Sequence, residues 1–232
     1  MVDQGDQPLL AVSARWSDLR LAALFSTAAG LAFLLTVTYL FTVLPASGWD
    51  LAMFDEPARL LPWVDDHRRL YQLLWLLYFL SRALLLPVPP LLAGVTGRAP
   101  AALGSAAVVL AMVGLAVLFA TSPVVAAGFA AAPDEAARST ALLLHDLFAD
   151  TGKDLRLLSE LLLGAWLMWT GRRLRAASRR QGWWALAALG AWTFLVALIK
   201  LFVPSIGLED WLGFLLGLGY LGLGAGLRRV AT

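Results

Sequence analysis

The sequence predicts an all-α fold, a polytopic membrane helical bundle of six transmembrane helices with both termini on the cytoplasmic side. Three observations carry that expectation. Hydrophobic residues make up 60% of the 232 residues and charged ones only 15%, where a soluble domain carries about 25% charged. Six apolar runs approach or exceed the roughly 20 residues a helix needs to cross a bilayer. Arginines and acids then fall alternately on the links between those runs. A soluble core of this size cannot hide so much apolar surface. The length allows one compact bundle with no room for a second soluble domain, so 1–232 is read as one transmembrane unit.

The first run, 19–44, closes at Pro45 and the polar turn Ser47-Gly48. The second, 71–95, carries Pro87, Pro89 and Pro90 behind Arg82. Proline withholds a backbone donor, so a kink or a stop is expected there. The third, 101–120, is rich in alanine and glycine and reads as buried. Beyond it, 124–132 is apolar but short and is bracketed by Pro123 and Pro133. It reads as an extension of the third helix, with an interfacial segment as the alternative for 121–154. The fourth run is 155–171, with a helical lead-in from about residue 140. Gly152 argues for a break in that lead-in, since glycine costs about 1 kcal/mol against alanine inside a helix. The fifth, 182–203, stops at Pro204, and the sixth is 211–227. None of these runs shows the ten-residue alternation of a membrane β-barrel. In the first outer loop, Trp49, Leu51, Phe54, Leu60, Leu61 and Trp63 alternate with acids and prolines. That pattern predicts one or two short helices in the membrane interface, with tryptophans at headgroup level.

Orientation follows from the charges in the links. With the N-terminus inside, the inner segments hold Arg15, Arg20, Arg98, Arg172, Arg173, Arg175, Arg179, Arg180, Arg228 and Arg229, against Asp3, Asp6 and Asp18. The outer loops hold Arg59, Arg68, Arg69, Arg138, Lys153 and Arg156, against twelve acids at Asp50, Asp55, Glu56, Asp65, Asp66, Asp134, Glu135, Asp146, Asp150, Asp154, Glu209 and Asp210. A bacterial cytoplasmic (inner) membrane fits this polarity. Asp3 and Asp6 stand where a signal peptide needs positive charge, and the first run is too long for a signal core. It is expected to remain as an anchor.

Charge within hydrocarbon is costly and marks a functional candidate. Arg82, Glu160 and Lys200 are such charges. Counting about 1.5 Å per residue, Glu160 and Lys200 lie at similar depth, roughly 8 and 6 Å below the outer surface, and Arg82 at about 16 Å near the midplane. An ion pair between Glu160 and Lys200 is expected, with Arg82 beneath it or bonded to helix carbonyls. The alternative pairs Glu160 with Arg156, four residues back, while Lys200 snorkels outward. Asp146, Asp150 and Asp154 repeat every four residues toward Glu160, and His145 adjoins Asp146. The candidate residues of an outward-facing polar vestibule are therefore Glu160, Lys200, Arg82, His145, Asp146 and Asp150.

In the last run Gly213 and Gly217, and again Gly222 and Gly226, form small-xxx-small pairs that let helix backbones approach. They serve packing within the chain, or a face for a homo-oligomer or larger membrane complex. Cysteine is absent, which excludes disulfides, thiolate zinc sites and iron–sulfur clusters. No P-loop, GxSxG or HExxH motif occurs. No cofactor and no metal are expected, since His67 and His145 sit in different loops. The basic cluster 172–180 reads as a topology determinant that touches anionic lipid headgroups, not as a nucleic-acid site.

Two stretches carry a family resemblance. His145-Asp146, followed by the fourth run and its exit Gly164-Ala-Trp-Leu-Met-Trp-Thr-Gly-Arg172, is similar to the small bacterial six-span proteins of domain-of-unknown-function 4386. So is the short basic link into Gly182-Trp183-Trp184. The chain departs from that family at the entry to the fifth run, where Arg179-Arg180-Gln181 replaces the usual proline. The resemblance implies a six-span layout and no particular activity.

The function expected is that of a non-enzymatic inner-membrane protein binding a small molecule, lipid or partner protein through the outer vestibule. The alternative is a lipid-modifying membrane enzyme using Glu160, or Asp146 with His145, as acid and base. A transporter lacks an inverted repeat. A pigment linked to Lys200 would need a deeper lysine.

Overall fold

A computed structural model describes residues 16–178, 182–203 and 209–230. All regular structure among them is helical. The expectations for Arg15, Arg179, Arg180 and the stop at Pro204 fall outside the described residues, as do the surroundings of Gly213. Helix α1 (Trp16–Thr38) passes into a π turn, Tyr39–Val43, and a 3-10 turn, Pro45–Ser47, which Gly48 closes at φ +84. After a 3-10 turn at Leu51–Asp55 come α2 (Pro57–Asp66), α3 (Arg68–Leu85) and the short α4 (Val88–Leu91) and α5 (Ala93–Thr96). Then follow α6 (Arg98–Ala130), α7 (Glu135–Ser178), α8 (Trp183–Phe202) and α9 (Glu209–Val230). Ser17–Ser47, Arg68–Leu91, Arg98–Ala130 and Trp183–Phe202 are long and apolar enough to cross a membrane. The charges along α7 keep it outside that group.

The prolines act as their chemistry requires. Pro87 has no N–H for the carbonyl of Ala83, so the Leu86 N–H is shared between the Arg82 and Ala83 carbonyls, at 3.1 and 3.2 Å. The helix ends there and resumes as the single turns of α4 and α5. Pro123, by contrast, stays inside α6, which runs on to Ala130. The extension expected past residue 120 therefore forms. Asp134 caps the next helix, its carboxylate accepting from the Ala137 N–H at 2.8 Å.

Helix α7 corrects the expected break at Gly152. It is continuous over 44 residues, about 66 Å long at 1.5 Å per residue. Gly152 serves contact between helices instead. A Cβ on Gly114 would lie 2.9 Å from the Gly152 carbonyl oxygen, and one on Gly152 would lie 2.9 Å from Leu118. The backbones of α6 and α7 touch here, and that contact outweighs the low helix propensity of glycine. Helices α7 and α8 meet in the same way, where a Cβ on Gly164 would sit 2.6 Å from the Phe194 nitrogen and 2.7 Å from the Gly190 oxygen.

The first loop forms the short helices expected of it and packs their aromatic residues inward. Leu60, Leu61, Trp63 and Val64 of α2 are buried, and so is Trp49, in a second apolar cluster with Tyr39, Tyr71, Trp75 and Leu118. The Trp63 indole donates to the Ser47 carbonyl at 3.1 Å, while Arg59 bridges Asp50 and Glu56, both at 2.8 Å. Trp49 and Trp63, 3% and 7% exposed, are thus inside the protein rather than spread at its surface. The loop packs on α6, because burying that much aromatic surface outweighs leaving it at an interface.

Contacts fix the relative directions of the long helices. The Tyr71 hydroxyl donates to Ser122 at 3.0 Å and the Tyr39 hydroxyl to the Leu70 carbonyl at 3.1 Å. A Cβ on Gly104 would meet Trp166, one on Gly171 would meet Ala187, and one on Gly226 would meet Trp183. Helix α1 crosses α9 at Gly30 and Gly217. Neighbours therefore run antiparallel. Arg20, Arg98, Arg172, Arg173, Arg175, Arg228 and Arg229 gather at one end, and the acidic turns before α2, α3 and α7 gather at the other.

Candidate functional site

The site is built from the side chain that hydropathy alone would exclude. Arg82, in the last turn of α3, is 2% exposed. Its Nη1 donates to the Tyr220 hydroxyl of α9 at 2.8 Å, and its Nη2 to the Tyr78 hydroxyl at 3.2 Å. The guanidinium carbon also lies 5.3 Å from the ring centres of both Phe33 and Tyr78. Phe33 meets Tyr78 edge to face at 5.2 Å, and Tyr220 at 6.3 Å. The charge is thus held by two hydroxyls and two ring faces contributed by α1, α3 and α9. Such contacts strengthen where water is excluded.

Helix α7 closes the centre. The Arg156 guanidinium carbon lies 5.5 Å from the centre of the same Tyr78 ring. The Glu160 carboxylate is near enough to act electrostatically on both Arg82 and Tyr220. Lys200, 7% exposed, comes from α8. Gly164 packs on Gly190 and Phe194, and Gly171 on Trp183 and Ala187. Extended toward the acidic end, that register sets Lys200 level with residues 154–158 and Glu160 one turn nearer the middle. By that register the two stand about one turn apart. Arg82 is bonded to tyrosine hydroxyls rather than to helix carbonyls.

At this level of the bundle, the buried and half-buried charged groups among the described residues are Arg82, Arg156, Lys200 and Glu160. Exposure falls in order toward the centre. Lys153 and Asp154 are exposed, Arg156 and Glu160 half-buried, and Arg82 buried.

The remaining sequence candidates stand apart. Asp146 and Asp150 are exposed, whereas His145 is buried, on another face of α7. Burial holds the His145 imidazole below the ordinary histidine value; Asp146 opposes that shift and Lys153 adds to it. Because α7 is unbroken, His145 lies about 22 Å along the axis from Glu160, too far for both to serve one reacting atom. His67 stacks on Trp63, with ring centres 5.0 Å apart. In α9, Gly217 packs on Leu34 and Gly226 on Trp183, while a Cβ on Gly222 meets nothing within 4 Å.

Tyr78, Tyr220 and Phe33 were not legible as site residues. Tyr78 had a signal, since it lies four residues before Arg82 on one helix face. Tyr220 is a lone hydroxyl in a glycine-rich apolar helix. No family model, curated protein or solved structure matches the chain.

Proposed function

We propose that the chain is a six-span, multi-pass protein of a bacterial cytoplasmic membrane, with both termini inside. In this reading it is non-enzymatic, and it binds the anionic group of a small molecule or lipid at the Arg82 centre. The ligand enters from the acid-rich outer side. The observation that carries the binding role is the buried Arg82 guanidinium, which donates to the neutral hydroxyls of Tyr220 and Tyr78 and whose Nε has no acceptor. A buried charge bonded to neutral groups is costly in a low-dielectric interior, and a carboxylate or phosphate lodged against Arg82, on the side of Arg156 and Lys200, offsets it. The graded exposure along α7 supports entry from that end. The gathering of arginines at the opposite end supports the orientation. Likeness to the six-span family rests on the sequence motifs alone.

The test is thermal unfolding of the purified protein in neutral detergent, with added laurate, dodecyl phosphate or dodecyltrimethylammonium. The two anionic amphiphiles are expected to raise Tm and the cationic one not to. Arg82→Gln and Lys200→Gln should each remove the shift, while Arg98→Gln keeps it. Equal shifts with all three amphiphiles, or a shift that survives Arg82→Gln, would rule out the centre as an anion site.

A further inference from the structure

At the opposite end of the molecule, the last turns of α7 and the first of α8 border an open surface cleft of about 460 Å³ lined by Arg172, Arg175, Ala176 and Trp184. The Arg175 guanidinium carbon sits 4.1 Å from the centre of the Trp184 ring. A cation over the ring face at that distance is held beside Trp184, and both residues line the cleft. Among the described residues, neither Arg172 nor Arg175 has a hydrogen-bond or ion-pair partner. A planar fork of donors beside a second guanidinium matches the geometry of a phosphate group.

What continues from the cleft is apolar. Trp169 lies three residues before Arg172 on α7, and Trp192 lies eight residues after Trp184 on α8, so each shares a face with a residue of the cleft. Trp169, Trp184, Trp192 and Leu195 are 47%, 48%, 45% and 47% exposed. These large apolar side chains lead from the arginines toward the middle of the bundle. A cationic, donor-rich cup with an exposed tryptophan-and-leucine track beneath it has the two-part chemistry of a phospholipid.

We propose that this cleft is a binding site for an anionic phospholipid of the leaflet at the arginine-rich end. Its phosphate is held by Arg172 and Arg175, Trp184 lies at headgroup level, and the acyl chains lie along Trp169, Trp192 and Leu195. The site is separate from the Arg82 centre and depends only on the chain being membrane-embedded. Tryptophan at this depth and basic groups at the headgroup plane both suit such a lipid.

The experiment is native mass spectrometry of the full chain in neutral detergent. It is titrated with dioleoylphosphatidylglycerol, dioleoylphosphatidylcholine or inorganic phosphate. Wild type is expected to bind phosphatidylglycerol at least ten-fold more tightly than phosphatidylcholine. Inorganic phosphate should not displace the lipid. The double variant R172Q/R175Q should lose that preference by on the order of ten-fold. Trp184→Leu, which keeps the apolar surface but loses the stacking face, should weaken it less. The variant R20Q/R98Q removes equal charge from exposed sites at the same end and should keep the preference. An equal loss in R20Q/R98Q would overturn the site in favour of diffuse surface charge. Displacement by inorganic phosphate would overturn the choice of a lipid. Circular dichroism separates a failure to fold from a failure to bind, and survival of the preference in a folded R172Q/R175Q also overturns the proposal.

Discussion

Arg82 on α3 donates to the hydroxyl of Tyr220 on α9 at 2.8 Å, across 138 positions of sequence. Both side chains are buried, at 2% and 0% exposure. The bond therefore ties the middle of the chain to its last helix inside the bundle, where an unmet donor finds no water.

Tyr220→Phe keeps the ring against Phe33 but leaves the Arg82 Nη1 group without its acceptor. A loss of about 1–3 kcal/mol in stability is expected. Tyr78→Phe should cost less, because it removes the longer 3.2 Å bond and retains the ring under Arg82 and Arg156. Denaturant unfolding in detergent reads both. A double-mutant cycle of Arg82→Gln with Tyr220→Phe should be clearly non-additive; additivity would mean that the hydroxyl bond contributes nothing.

The sequence made the long helices and their charge polarity legible, since hydrophobic run length and arginine placement are local properties. It did not show who meets whom. Gly152 reads as a helix breaker by propensity, yet its role is to admit the backbone of α6. Trp49 and Trp63 read as interfacial from their pattern, and the second apolar cluster they close was not visible in it. The charges of the site were legible singly, but the tyrosines that hold Arg82 depend on a long-range approach that no spacing encodes.

Close helix contact gives a second prediction. Gly190→Leu forces α8 away from Gly164 and Met168 of α7 and should destabilise by about 1–3 kcal/mol or more, as overpacking does. Gly222→Leu projects into open space and should leave the monomer's stability within about 0.5 kcal/mol. Thermal unfolding of the two variants compares them directly.

His145 gives a pH dependence. Its folded-state value is pushed below the ordinary 6.5, chiefly by burial, so the unfolded chain takes up the proton first as pH falls. Its contribution to stability is therefore present above pH 6.5 and declines as pH falls through the folded value. Unfolding measured at pH 8 and pH 5 should show less acid loss in His145→Gln than in wild type. The same loss in both would contradict the assignment.

The absence of cysteine makes the polarity of the bundle directly readable. Single variants Asp134→Cys and Arg173→Cys, in intact bacterial cells, should differ in labelling by a membrane-impermeant maleimide. Asp134→Cys should label from outside, and Arg173→Cys only after the cells are opened. Reversed labelling would invert the orientation.

The central claim, an anion site entered from the acid-rich end, is tested most directly at Glu160. Glu160→Cys in intact cells should react with a negatively charged, membrane-impermeant thiosulfonate added outside, and laurate should slow that reaction. A cysteine there that stays unreactive from outside, yet reacts once the protein is unfolded, would show a sealed centre and contradict the proposed entry.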